Sequence, residues 1–439
     1  MNPVILAVAI MLGLSLARFP VVPSIIIAAV CGGLWAGMPV DHVLSSFHLG
    51  IKEGANIALS YAMLGAFAAA IAKSGIPHWL CDHAISHAKQ SQSHNIARAV
   101  LLSILALAAV ASQNLIPIHI AFIPILVPPM LYLMSEIGLD RRLVACTLTF
   151  GLVCTYMFLP IGFGEIYLKK ILLGNIKLAG LDINEGNFSL MDAMWLPALG
   201  MLSGLLVAAT ITYRKPRTYN LHAIEKLDGE NVAPNSRAIM ISLVALITAF
   251  AVQLTWDSMI LGALVGFMLL SMSGSTRWRD NDSVFVDGMK MMANIGFIMI
   301  AASGFAEVLR DSGSIPELVK ATAGLVDNSP WIASFAMLLV GLVITMGIGS
   351  SFSTIPIIAT IYVPIAQALG FSPLAIVALV GTAGVLGDAG SPASDSTLGP
   401  TAGLNADGQH DHIRDTVVPT FIHYNLPLLL FGWIATLIL

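Results

Sequence analysis

The chain has 439 residues, of which 57% are hydrophobic and only 10% charged, with a mean hydropathy of +0.84. So few charges cannot cover a water-soluble protein of this length, which places the chain in the membrane class with a lipid bilayer as its surroundings. A net charge of −4 and the lack of any long Lys/Arg run exclude nucleic acid as an expected partner.

The first apolar stretch, MNPVILAVAIMLGLSLA, has no basic segment ahead of it and is expected to stay as an uncleaved helix. Stretches able to cross a bilayer lie near 2–17, 21–37, 50–72, 141–160, 191–213, 237–255, 257–272, 285–309 and 417–438. Region 98–135 is too long for one helix and is cut by SQNLIP, Ser112 to Pro117. Region 331–369 is cut in the same manner by GSSFSTIP, Gly349 to Pro356. Each predicts a re-entrant helical hairpin. Region 373–404 begins as a helix and breaks down in GDAGSPASDSTLGP, Gly387 to Pro400, which no continuous helix survives. Cys31, Cys81, Cys146 and Cys154 lie in or beside apolar runs without paired spacing, which argues against a disulfide framework and a zinc site.

If each hairpin enters and leaves on one side, and 141–175 and 373–404 each cross once with a break, the chain makes ten crossings. Fifteen Lys/Arg residues then fall on one face and six on the other. By the positive-inside rule the richer face is cytoplasmic. The expected protein is multi-pass in the cell's inner (plasma) membrane, with both termini outside. Residues 1–213 form a first membrane repeat, 214–236 a cytoplasmic linker and 237–439 a second repeat.

The halves are self-similar. Ala55 to Gly75 aligns with Ala293 to Gly313 at an offset of 238, with seven identities in twenty-one positions. At offset 239, Ser112-Gln-Asn-Leu-Ile-Pro-Ile falls on Ser351-Phe-Ser-Thr-Ile-Pro-Ile, one hairpin break on the other. At offset 232, Pro160 meets Pro392, so a broken helix follows each hairpin. Five crossings per half is an odd number, so the second half is expected to sit inverted. The expected fold is an all-α polytopic membrane protein of two inverted-topology repeats of five crossings, each with a re-entrant hairpin and a broken helix, the plan of a secondary transporter.

Asn114 and Ser353 are each followed three residues later by proline, the pattern of an N-cap with Pro in the first helical turn. The hairpin tips then offer N–H groups to an anion and the oxygens of Ser112, Asn114, Ser351, Ser353 and Thr354 to a cation. The same residues would also serve as plain helix caps.

Gly387-Asp388-Ala389-Gly390-Ser391-Pro392-Ala393-Ser394-Asp395-Ser396 resembles the GD-x-x-SP-x-SD motif of NhaC-type Na⁺/H⁺ antiporters and their permease relatives. The two-repeat plan is similar to that of the wider ion transporter superfamily. The resemblance implies a domain that carries substrate past a scaffold, with Na⁺ or H⁺ or both as coupling ion and no other cofactor. The group includes amino-acid permeases resembling histidine transporters, so the resemblance fixes the class better than the cargo. One departure stands out: Ile161-Gly162-Phe163-Gly164-Glu165 lies where the second repeat has Ala393-Ser394-Asp395-Ser396-Thr397, which argues against a symmetric pair of cation sites.

An Asp within a bilayer is by default functional. Asp388 and Asp395 are the expected Na⁺ ligands, with Ser391 and Ser394 beside them, and either acid could exchange the ion for a proton. Glu165 is the first repeat's acid near its break, with Lys169 and Lys170 close enough to pair it outside the membrane. His119 could carry a proton or pack as a hydrogen-bonded core residue. Asn56 and Asn294 match across the repeats and are candidate site or hairpin-supporting residues. His423 and Asn425 are read as interhelical hydrogen-bond partners. The histidines at 78, 83, 87, 94, 410 and 412 are read as solvated loop, since no HExxH or Cys/His set completes a metal site.

The expected activity is Na⁺/H⁺ antiport by alternating access, with Na⁺- or H⁺-coupled amino-acid uptake as the alternative. The cargo is a small cation or small molecule, and a homodimer is an allowed assembly. An intramembrane hydrolase using a serine with His119 is the remote third reading, and no Ser stands in a G-x-S-x-G context.

Overall fold

The computed structural model describes residues 1–17, 19–72, 94–114, 122–181, 183, 189–221, 236–256, 258–273, 278–317 and 329–439. The secondary structure of these residues is helical throughout. Two short apolar helices, α1 (Pro3–Leu16) and α2 (Val21–Trp35), precede the long α3 (Val40–Ala72). Then come α4 (His94–Asn114) and α5 (Phe122–Glu136), followed by α6 (Arg141–Phe158), α7 (Phe163–Leu178) and α8 (Leu190–Thr212). The second half runs α9 (Ser236–Trp256), α10 (Met259–Met272), the long α11 (Asn281–Asp311), α12 (Pro330–Ile348) and α13 (Ser351–Ala368). It closes with α14 (Pro373–Val385), α15 (Asp395–Leu404) and α16 (His412–Ile438).

The order short, short, long, paired, broken, single therefore occurs twice. Helix pairing echoes it: α2 packs on α11 while α10 packs on α3, α4 lies on α6 as α12 lies on α14, and α8 packs on α16. Among the described residues, six helices are long and apolar enough to cross a bilayer, or seven if the bent pair α6–α7 is one span. Five shorter apolar helices accompany them among the same residues.

The long helices α3 and α11 bind each other through bare backbone. A Cβ added at Gly65 would lie 2.3 Å from the Gly288 carbonyl oxygen, so only hydrogen at these positions allows the approach. Close contact of small residues is the main source of helix association in lipid, where apolar side chains gain nothing by leaving the hydrocarbon.

Both breaks have local causes. Helix α6 starts at Asp140, whose side chain accepts from Arg142 N, and it ends before Pro160, which has no N–H to continue the ladder. The chain then turns by 50° into α7. Helix α14 ends where Gly387 takes φ = 93°, a conformation strained for any residue with a side chain. Its N–H, left without a helical acceptor, donates to Asn425 Oδ1 at 3.1 Å. The tip between α12 and α13 turns at Gly349 and Ser350, so Ser350 precedes the helix and Ser353 sits inside its first turn. The expected cap is thus moved by three residues, because Pro356 is accepted within the helix rather than at its start. Asn114 is the last described residue of α4, and the segment 115–121 that follows it lies outside the described residues.

Within the segment from Pro373 to Leu404, the apolar 18-residue stretch that qualifies it as a span is 94% buried inside the protein, far more than the matching stretch of any other span. A span so enclosed does not face lipid, and its broken centre is held wholly by other helices.

Candidate functional site

Asp388 stands three residues after the end of α14, directly behind Gly387, in the one turn of 3-10 helix inside the break. It is 5% exposed. Four hydroxyls surround its carboxylate. Tyr156 of α6 donates to Oδ2 at 2.5 Å, and Ser351, at the start of α13, donates to the same oxygen at 3.1 Å. Ser394 donates to Oδ1, and Ser396 lies 3.4 Å from Oδ1 and 3.0 Å from the Asp388 carbonyl. The two serines are also joined to each other at 2.8 Å.

Beside this carboxylate lies a cavity of about 40 Å³, lined by Gln113, Tyr156, Phe163, Ser351, Asp388 and Asp395 among others. That is room for about three waters. Asp395, the first residue of α15, is half-buried and gives the same cavity a second acid. A serine or tyrosine hydroxyl has one proton to donate and lone pairs to accept with. The oxygens that now donate to Asp388 can therefore turn their lone pairs on a cation that takes the carboxylate's charge. Hard cations such as Na⁺ are held by such oxygen sets.

The break is braced from three directions. Ser391 donates to Met346 O at 3.0 Å, Thr397 donates to Ser391 O at 2.6 Å, and Thr149 of α6 donates to Ser396 O at 2.9 Å. His412 Nε2 lies 2.9 Å from Pro392 O, and its Nδ1 lies 2.8 Å from Thr401 Oγ1.

Of the residues expected at the site, Asp388, Ser394, Asp395 and Ser351 come together. Ser391 does not face the carboxylate; its hydroxyl ties the break to α12. Ser112 and Thr354 are buried, but their hydroxyls bond backbone in their own helices, to Ala109 O and Ser350 O. Gly162 turns the first break with φ = 61°. Glu165 is exposed and paired with Lys169 at 2.8 Å, outside the cavity lining. Asn56 is exposed on α3, away from the cavity lining. Asn294 lies on α11 and Ser353 on α13, with the side chains of Asn114, Asn294 and Ser353 outside the described residues, as is the whole of His119. His423 does bond across helices, to Thr212 Oγ1 at 2.9 Å, and Asn425 holds Gly387. His410 departs from the solvated-loop expectation: it is 2% exposed, with Nε2 2.7 Å from Thr416 Oγ1, because the turn 405–411 folds back under α6. His78, His83 and His87 lie outside the described residues.

Tyr156, Gln113 and Ser396 also line the cavity and were not among the expected site residues, while Asn425 holds the break behind it. Tyr156 carried the best signal: a phenol in the apolar run GLVCTYMFLP, four residues before a helix-breaking proline.

Beyond the span ends, Arg141 and Asp407 form a two-pronged pair at 2.7 Å on both prongs, with neither side chain reached by solvent. Burial raises the Asp407 carboxyl, but the hydrogen bonds and charge of Arg141 outweigh it and hold it below the ordinary carboxylate range. Burial pushes the His410 imidazole down to about 3, against the nearby Asp415 charge.

A model of the Na⁺/H⁺ antiporter family matches residues 147–433, which hold the break, the acids and Tyr156. The chain belongs to the Na⁺/H⁺ antiporter family. A second model, also described as a Na⁺-H⁺ antiporter family, matches residues 2–88. An uncharacterised membrane protein of Vibrio parahaemolyticus is 52% identical over the full length of both chains. The candidate amino acid transporter YuiF of Bacillus subtilis is 45% identical, again over all of both chains. The Na⁺/H⁺ antiporter NhaC of Alkalihalophilus pseudofirmus is 31% identical over 158 residues, 35% of this chain and 34% of that one. A family of membrane transporters and an all-helical apolar fold make this chain a secondary transporter.

Proposed function

We propose that this family member exchanges Na⁺ for H⁺ across the inner membrane, with Asp388 as the group that holds one or the other. The observation that carries this reading is a buried carboxylate ringed by four hydroxyls, on a broken helix, beside a cavity of water-molecule size. A proton and a small cation compete for the same oxygens, so occupancy by one expels the other. Asp395 supplies a second negative charge to the cavity and favours cation entry. In this reading the two halves are inverted repeats, and the buried span of the second half moves past the paired long helices α3 and α11. The richer Lys/Arg face is cytoplasmic and the termini are outside.

The name of YuiF favours a second reading, coupled amino-acid transport. A molecule of that size would need the hairpin tips to part, since the cavity of about 40 Å³ has room for only a few water-sized groups. Proteoliposomes separate the two. An imposed Na⁺ gradient that moves protons without any added solute supports exchange. Proton or Na⁺ movement that waits for one labelled amino acid, from a panel of all of them, overturns it in favour of uptake.

A further inference from the structure

The carboxylate of Asp388 is divided between two sets of partners. Oδ1 faces Ser394 and Ser396 of its own segment, whereas Oδ2 faces Tyr156 from the first half and Ser351 from the tip of the α12–α13 hairpin. Tyr156 Oη also lies 2.8 Å from Ser351 Oγ, so phenol, hydroxyl and carboxylate close a triangle that joins three separate elements. Two protons serve this triangle: the phenol donates to Oδ2, and Ser351 donates to Oδ2 or to the phenol.

The ring is fixed as firmly as its oxygen. Tyr156 is 3% exposed and packs edge-on against Tyr167 at 4.8 Å and Phe163 at 6.2 Å, with Phe352 of the hairpin tip at 6.0 Å. Tyr167 is itself anchored to Gly381 O at 3.0 Å. A phenol held on so many sides keeps its donor in one place, and the acceptor must come to it.

We propose that Tyr156 is a positioning residue for the coupling acid: it pins Oδ2 of Asp388 to the hairpin hydroxyl of Ser351 and leaves Oδ1, with Ser394 and Ser396, as the side that takes the ion. This inference rests on the reading of Asp388 as the exchanging acid. The titratable groups that face Asp388 are Tyr156 of α6, Tyr167 of α7 and Asp395 of α15, while the nearby α13 side chain Ser351 is uncharged. A donor aimed at a carboxylate favours its charged form, so the phenol sets how readily a proton is given up to the entering cation.

The test is Na⁺-driven proton movement in proteoliposomes of the full chain, followed with an internal pH dye across a range of pH. Tyr156→Phe removes the donor and keeps the ring; its activity profile is expected to move toward higher pH by about tenfold in proton concentration. Replacing Tyr156 with 3-fluorotyrosine keeps size and fold, strengthens the donor, and is expected to move the profile the other way. If Tyr156→Phe does not fold, the fluorinated variant decides alone. Parental pH profile and Na⁺ half-saturation in the folded Tyr156 variants, with Asp388→Asn inactive, would overturn the role of Tyr156 and leave the exchange reading standing. Parental exchange by Asp388→Asn would instead overturn the exchange reading and this inference with it.

Discussion

Asp407→Asn should destabilise the protein more than any other single change of similar size near the site. Arg141 reaches both oxygens of Asp407 at 2.7 Å, and a third contact of its guanidinium goes to Leu404 O at 3.2 Å. Asp407 is its one carboxylate partner among the described residues, and the Tyr219 ring lies over the guanidinium at 4.1 Å. The amide keeps the shape but removes the charge, leaving a buried guanidinium uncompensated. Breaking one side of a buried pair costs about 3–5 kcal/mol, whereas replacing both sides with apolar residues is often close to neutral. The double variant Arg141→Met with Asp407→Leu should therefore recover most of the loss, less about 1 kcal/mol for the Leu404 carbonyl left without its donor. Thermal unfolding in detergent, read by loss of the monodisperse size-exclusion peak, compares parent, single and double variants. An amide variant as stable as the parent, or a double variant worse than the single, would refute this account of how α6 is fastened to the end of α15.

Asn425→Leu takes away the acceptor of Gly387 N and leaves a buried donor unpaired; a loss of about 1–3 kcal/mol is expected, with transport falling further than stability, since the next residue is Asp388. Stability measured against pH should carry a signature of His410. Its folded value is lowered to about 3 while the unfolded chain takes the proton near the ordinary 6.5, so its contribution is complete above 6.5 and drains away as pH falls from there toward 3. His410→Gln should flatten that part of the profile relative to the parent, and an unchanged profile would show that the imidazole is not kept neutral by the fold. Asp407, held low by Arg141, acts with the same sign at lower pH: its contribution is present above the ordinary carboxylate range and is lost as pH falls through its depressed folded value.

Much of the architecture is written in the chain at short range. Apolar run length, the two Pro-containing breaks and the GDAGSPASDS segment give the helices, the hairpin and the broken span, because each depends on neighbours within a few residues. Asp388 and Ser394 were legible for the same reason, being six residues apart. Tyr156 was not, since it meets Asp388 across 232 residues, and no local pattern tells a phenol that packs from one that donates. Ser391 and Thr354 erred the other way. A hydroxyl beside a break can serve an ion or an orphaned carbonyl, and only the position of Met346 O and Ser350 O decides which. The glycine contact between α3 and α11 was half visible, as Gly65 lies within the repeat that aligns the halves, but its partner Gly288 lies outside it.

The central claim is that the charge on Asp388 exchanges a proton for Na⁺, and the most direct measurement is Na⁺-driven proton movement by Asp388→Asn in proteoliposomes, beside parent and Asp395→Asn at matched protein amounts. An amide keeps the shape and accepts the same hydroxyls on one oxygen, but it neither binds a proton in this range nor offers full charge to a cation. The account predicts a well-folded Asp388→Asn protein with no exchange at any pH, and an Asp395→Asn protein that exchanges with weakened Na⁺ dependence. Parental rate, pH profile and Na⁺ dependence in folded Asp388→Asn would contradict it.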